Sequence, residues 1–163
     1  MPLDLIQISA SHIDEDNLGE SLRQLGISMD YFRQNPEQVP VWMEQLGQDV
    51  MHQLVTDWKF LARDEQLPPT KLYRFWLYMA GRGSGKTRTG AEWTKDLIRQ
   101  GYNRGGLIAP TAADVRDVMV EGESGLLAVC NPWDKDIHGN VMGRPTYEPS
   151  KRRVTWENGA MVT

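Results

Sequence analysis

Residues 73–101 constrain the fold more than any other stretch of this chain. YRFWLYMA at 73–80 is rich in aromatic and β-favouring residues, which predicts a buried strand. Three glycines follow at once, Gly81, Gly83 and Gly85, and from Lys86 to Gln100 helix formers dominate until Gly101 supplies a stop. Gly90, Ala91, Thr94, Leu97 and Ile98 share one face of that predicted helix. A second short apolar run, GGLIAP at 105–110, arrives after a crossover long enough for parallel pairing. The order strand, tight turn, helix, strand predicts an α/β chain with a parallel sheet and flanking helices.

The turn itself carries chemistry. Ala80-Gly81-Arg82-Gly83-Ser84-Gly85-Lys86-Thr87 matches the phosphate-loop pattern G-x-x-x-x-G-K-[ST], with alanine at the first position, where the residue has only to be small. Glycines permit positive φ and close backbone approach, so successive N–H groups can line an anion-binding hollow. A helix starting near Lys86 adds its positive end there. Lys86 is the candidate for gripping the β- and γ-phosphates of ATP, and the Thr87 hydroxyl for ligating the accompanying Mg²⁺. Ser84 contributes a backbone donor. Arg82 either folds back to the γ-phosphate, where it would stabilise charge during transfer, or faces solvent or a neighbouring subunit. Arg88 is expected on the surface. A glycine-rich turn that merely joins strand to helix would account for Gly81 and Gly83 but gives no reason for the Lys-Thr pair.

Other chemistries find little support. Cys130 is the single cysteine, which excludes an internal disulfide and a thiolate metal cluster, and it is expected to be a small buried side chain. His12, His52 and His138 fall in no ligand spacing. No apolar run is long enough to cross a bilayer, and MPLDLIQISASHIDED lacks the basic start and apolar core of an export signal, so an intracellular protein without a membrane partner is expected. Charge is unevenly spread: residues 1–70 carry −8 and residues 71–163 carry +4. The second part is therefore the better candidate for meeting an anion.

The leading region reads as acidic and helical. Leu18, Leu22 and Leu25 recur at helical spacing before Gly26, Ser28 is placed to cap a short helix, and Val50, Met51, Leu54 and Trp58 share a face. Residues 1–45 are taken as an N-terminal region and 46–163 as a partial ATPase domain, which the chain enters past the helix-breaking Pro68-Pro69. After the second strand, Thr111 is a plausible cap for a helix that Gly122 and Gly125 interrupt. The end, KRRVTWENGAMVT, alternates as a strand and turns back at Asn158-Gly159, a strong hairpin signal.

Taken together, ARDEQLPP at 62–69, AGRGSGKTRTGAEW at 80–93, IAPTAADVRDVMVEGESGLL at 108–127 and YEPSKRRVTWENGA at 147–160 resemble the large terminase subunits of tailed bacteriophages and prophages, over about residues 55–163. The resemblance implies a helicase-like P-loop NTPase fold. It implies an ATP-driven motor that packages double-stranded DNA into an empty capsid, working as a homo-oligomeric ring on the portal protein with a small terminase subunit, in the cytoplasm of a bacterial host. It places Ala80 to Thr87 at the Walker A position and Arg82 at a loop arginine that couples nucleotide state to movement. Gln66 resembles the upstream glutamine that reads the adenine edge, though a glutamine before Pro-Pro also suits a solvated loop. Arg116, Arg152 and Arg153 are candidate trans-acting fingers or DNA contacts, or a solvated face.

Two features depart from that family. No run of four apolar residues closing in Asp-Glu, the Walker B pair, occurs in the sequence, and the nuclease carboxylates are missing as well. The expectation is a truncated or split terminase that binds ATP and hydrolyses it poorly. The acidic residues 1–45 match none of the family words. Rival readings are a small P-loop kinase and a non-catalytic, nucleotide-binding prophage remnant.

Overall fold

The computed structural model describes residues 17–163, so His12 and the first sixteen positions of the expected acidic region lie outside the described residues. Two compact units divide between Leu67 and Pro68. The first is helical: α1 Leu18–Gln24, α2 Met29–Gln34, α3 Gln38–Leu54, α4 Trp58–Leu61 and a 3₁₀ turn Asp64–Gln66. Leu18 and Leu22 are buried as their spacing predicts, whereas Leu25 is partly exposed. Gly26 takes φ 80° and ends α1. Phe32 stands edge-on to Trp42 at 5.2 Å, beside Ile27, Leu54 and Phe60, and forms the centre of this core. Asp57 ties the unit together by accepting from the N–H groups of both Gly19 (2.9 Å) and Lys59 (2.8 Å).

The second unit is mixed α/β. It contains α5 Lys86–Arg99, β1 Arg104–Gly105, α6 Ala112–Asp114 continuing as a π-helical stretch Val115–Val120, α7 Leu126–Val129, β2 Thr146–Glu148, β3 Arg153–Thr155 and β4 Met161–Val162. The four strands lie in the order β1-β4-β3-β2. Only β1 and β4 run parallel; β4–β3 and β3–β2 are antiparallel. Parallel pairing is thus confined to β1 and β4, and the sheet is mixed, because the three C-terminal strands are joined by hairpins, one of them the expected turn at Asn158-Gly159, and not by crossovers. Asn158-Gly159 does form the turn between β3 and β4, with Gly159 at φ 82° and Asn158 Oδ1 accepting from the Ala160 N–H at 3.0 Å.

The expected strand over 73–80 is also corrected. No strand is assigned there, and Phe75, Leu77 and Met79 are 92, 78 and 79% exposed. A central parallel strand is apolar on both faces because layers cover both. Here Tyr73, Trp76 and Tyr78 are half-buried, whereas Phe75, Leu77 and Met79 stand open to solvent. The second apolar run is ordered differently from its pattern too: β1 ends at Gly105, one further ladder bond joins the Leu107 N–H to the Thr163 carbonyl at 2.8 Å, and Ile108 is 89% exposed.

The core of this unit gathers Ala91 and Ile98 of α5, Val120, Leu126 and Val129, Val154 and Val162 of the sheet, and Trp156 just past β3. Cys130 belongs to it, and burial pushes its thiol up to about 12, so it is inert at neutral pH. Gly122 and Gly125 interrupt the helix as predicted. A Cβ on Gly122 would sit 2.5 Å from the Val118 carbonyl oxygen and one on Gly125 2.7 Å from that of Val120. Gly122→Ala is therefore expected to destabilise the chain by about 1–3 kcal/mol, the usual range for overpacking. Urea unfolding checks this, and a midpoint equal to that of the parent would contradict it.

Candidate functional site

The loop 80–87 joins the unpaired segment to α5, and its glycines set its path. Gly83 and Gly85 adopt φ 78° and 80°, the left-handed region, while Gly81 does not. Ser84 closes a turn by donating from Oγ to the Gly81 carbonyl at 2.7 Å. Gly85 is the N-cap of α5 and offers no side-chain oxygen; its carbonyl accepts the first helical bond, from the Thr89 N–H at 2.9 Å. Leading amides of a helix have no partner within it, so a fourteen-residue helix begins here without a side-chain cap.

Lys86 bends back over this start. Its Nζ donates to the carbonyls of Ala80 at 2.9 Å and Gly81 at 2.6 Å. An ammonium has three donors, so two hold the loop and one remains. Thr87 is half-buried beside Lys86, and both line a cavity of about 370 Å³ with Gly90, Trp93, Leu107 and Ile108. Arg82 is exposed in the turn. Ala80 to Thr87 are therefore brought into one place. Gln66 belongs to the first unit, is buried, and its Oε1 accepts from the Arg63 N–H at 3.2 Å.

The remaining candidate arginines differ in their surroundings. Arg116 forks onto Asp117, with Nη2 3.1 Å from Oδ2. Arg153 binds Glu148 at 2.6 Å and Lys151 meets the same carboxylate at 2.7 Å. Lys151 first, then Arg153, holds the Glu148 carboxyl below the usual carboxylate range. Arg152, between them at the hairpin tip, takes φ 49° and is exposed.

A buried charged cluster on α5 was not legible as such. The helix buries Thr89, Ala91, Glu92, Lys95 and Ile98; of the expected face Ala91 and Ile98 are buried, Thr94 and Leu97 half-buried, and Gly90 is exposed. Glu92, 1% exposed, pairs with Arg88 at 2.6 Å and Lys95 at 3.1 Å. Lys95 Nζ also donates to the Val129 carbonyl at 3.0 Å and lies 3.7 Å from Asp134. Arg88 is thus no simple surface residue. The i, i+4 and i, i+3 spacing of Arg88, Glu92 and Lys95 was the available signal; it reads equally well as a solvated face.

Among the described residues no helix is long and apolar enough to cross a membrane, and no group of three or more His, Cys, Asp or Glu side chains converges to hold a metal ion. Compared with known proteins, residues 77–163, more than half of the chain, match the family described as terminase large subunit, T4likevirus-type, N-terminal. No curated protein and no solved structure matches.

Proposed function

The chain belongs to the terminase large-subunit family, T4likevirus-type, N-terminal part, which supports a role in phage DNA packaging, and from that premise we propose that it is the ATP-binding part of the packaging motor. The observation that carries this reading is the Lys86 ammonium folded over the uncapped start of α5, with two of its donors on the Ala80 and Gly81 carbonyls. An ammonium held this way has a third N–H beyond those two bonds, and a helix start without a cap favours anions. Both suit a polyphosphate.

In this reading the amides around Gly83 to Thr87 and the Lys86 ammonium grip the phosphates, the Thr87 hydroxyl ligates Mg²⁺, and Arg82 swings from solvent to the γ-phosphate. ATP supplies the phosphoryl bond whose cleavage drives movement of double-stranded DNA into the procapsid. Portal protein, small terminase subunit and further copies of the chain in a ring are the proposed partners. Hydrolysis needs a carboxylate that orients the attacking water, and residues 1–163 contain no apolar run closing in Asp-Glu. The 163-residue polypeptide is therefore expected to bind Mg-ATP while turning it over slowly.

Titration with a fluorescent ATP analogue, alongside a phosphate-release assay, tests both halves. Saturable, Mg²⁺-dependent binding with turnover far below about 1 s⁻¹, the low end of typical enzyme rates, is the expected result. Absence of binding removes the nucleotide reading; rapid hydrolysis removes the inference from the carboxylates.

A further inference from the structure

The segment that enters the phosphate loop makes no strand ladder, so side chains must hold it in place. Aromatic residues do this. Trp93 of α5 donates from Nε1 to the Tyr73 hydroxyl at 3.1 Å. The Trp76 ring stands edge-on to Trp93, with centroids 5.7 Å apart, and the Tyr78 ring lies 6.2 Å beyond Trp76. From there the Tyr78 hydroxyl reaches into the loop and donates to the Ser84 carbonyl at 3.3 Å.

That last contact has a directional consequence. The Ser84 carbonyl and the Gly85 N–H belong to one peptide group, which is planar and trans. Bonding the oxygen on one side turns the amide to the other. Gly85 is the left-handed N-cap of α5, so its amide stands at the head of the leading amides of the helix. Lys86 restrains the carbonyls of Ala80 and Gly81 in the same manner, one turn of chain earlier.

We propose that Tyr78 is a positioning residue for the phosphate loop: anchored on the Trp76–Trp93 pair, its hydroxyl sets the Ser84–Gly85 peptide so that the Gly85 amide faces a bound polyphosphate. This rests on the nucleotide reading of the loop. Tyr78 contacts no phosphate itself and acts through the backbone. The aromatic stack does for this loop what strand neighbours do elsewhere, because it fixes the entry angle of the chain without a ladder.

Tyr78→Phe tests it, since the ring and its packing stay and only the hydroxyl goes. In the full chain, Mg-ATP and inorganic tripolyphosphate are both expected to bind about fivefold to tenfold more weakly, the size of one ordinary hydrogen bond. The thermal midpoint is expected to stay where it is, and in ¹⁵N-glycine-labelled protein the Gly85 amide resonance is expected to shift more than those of Gly101 and Gly159. Lys86→Ala serves as the reference. If it loses ATP binding while Tyr78→Phe binds like the parent with an unmoved Gly85 resonance, the positioning role is wrong and the nucleotide reading stands. If Lys86→Ala binds ATP like the parent, the nucleotide reading fails and takes this role with it. A Tyr78→Phe protein that melts several degrees lower, with tripolyphosphate affinity intact, would show a packing role only and overturn the proposal.

Discussion

Lys86→Ala is expected to abolish measurable binding of Mg-ATP, with affinity falling about a hundredfold or more. Charge-assisted hydrogen bonds contribute roughly 1.5–3 kcal/mol each, and tenfold in affinity corresponds to about 1.4 kcal/mol. Two losses combine in this variant. The phosphate loses its cationic partner, and the carbonyls of Ala80 and Gly81 lose the Lys86 donor, which leaves Gly81 with the Ser84 hydroxyl. The second loss loosens the loop before any ligand arrives, so the binding-competent geometry is less populated. Fold stability should hardly change, because Lys86 is exposed and alanine favours the helix that it begins. Isothermal titration together with a melting curve separates these effects. Undiminished binding in a normally melting variant would end the assignment of this loop to phosphate.

Glu92→Ala is expected to be strongly destabilising, at about 3–5 kcal/mol. It leaves Lys95, itself buried, without the carboxylate 3.1 Å away, and releases Arg88 from its 2.6 Å contact. Removing one member of a buried ion pair strands the other in a poor dielectric, which is why the cost exceeds that of any surface pair. Lys95 still has the Val129 carbonyl and the more distant Asp134, so the effect belongs at the lower part of that range. Chemical unfolding measures it. The double change Glu92→Ala with Lys95→Met is expected to recover most of the loss, since the buried ammonium is then gone, Arg88 is one-third exposed and Asp134 keeps the Asn131 N–H. A single variant as stable as the parent would show that the cluster is solvated and not buried.

Both predictions draw on α5, yet they differ in how much of their basis was readable beforehand. The glycine turn and the helix start at Lys86 were legible because their chemistry is local: glycines at fixed offsets, left-handed at Gly83 and Gly85, with helix formers after them. Thr111 was legible for the same reason. Its hydroxyl accepts from the Asp114 N–H at 3.1 Å, while the Asp114 carboxylate accepts from the Thr111 N–H at the same distance. Glu92 and Lys95 were not legible, because a charged pair three residues apart has the same pattern whether water or Val129 lies opposite.

Segment 73–80 shows this limit from the other side. Aromatic and apolar residues on both faces suit a central strand, but a strand exists only when a neighbour bonds its backbone. No described strand does so, and the run rests Tyr73 and Trp76 on Trp93, with Tyr78 beside Trp76, instead.

By itself the sequence determined the local turns of this protein: the glycine loop before α5, the stop at Gly101, the breaks at Gly122 and Gly125, and the hairpin at Asn158-Gly159. Each depends on φ preferences and on hydrogen bonds spanning a few residues. Only the tertiary structure decided that β4 is the strand beside β1, that 73–80 stays outside the sheet, and that α5 buries an ion cluster. Strand partners and burial are set by residues far along the chain, and short-range chemistry carries no information about what packs opposite.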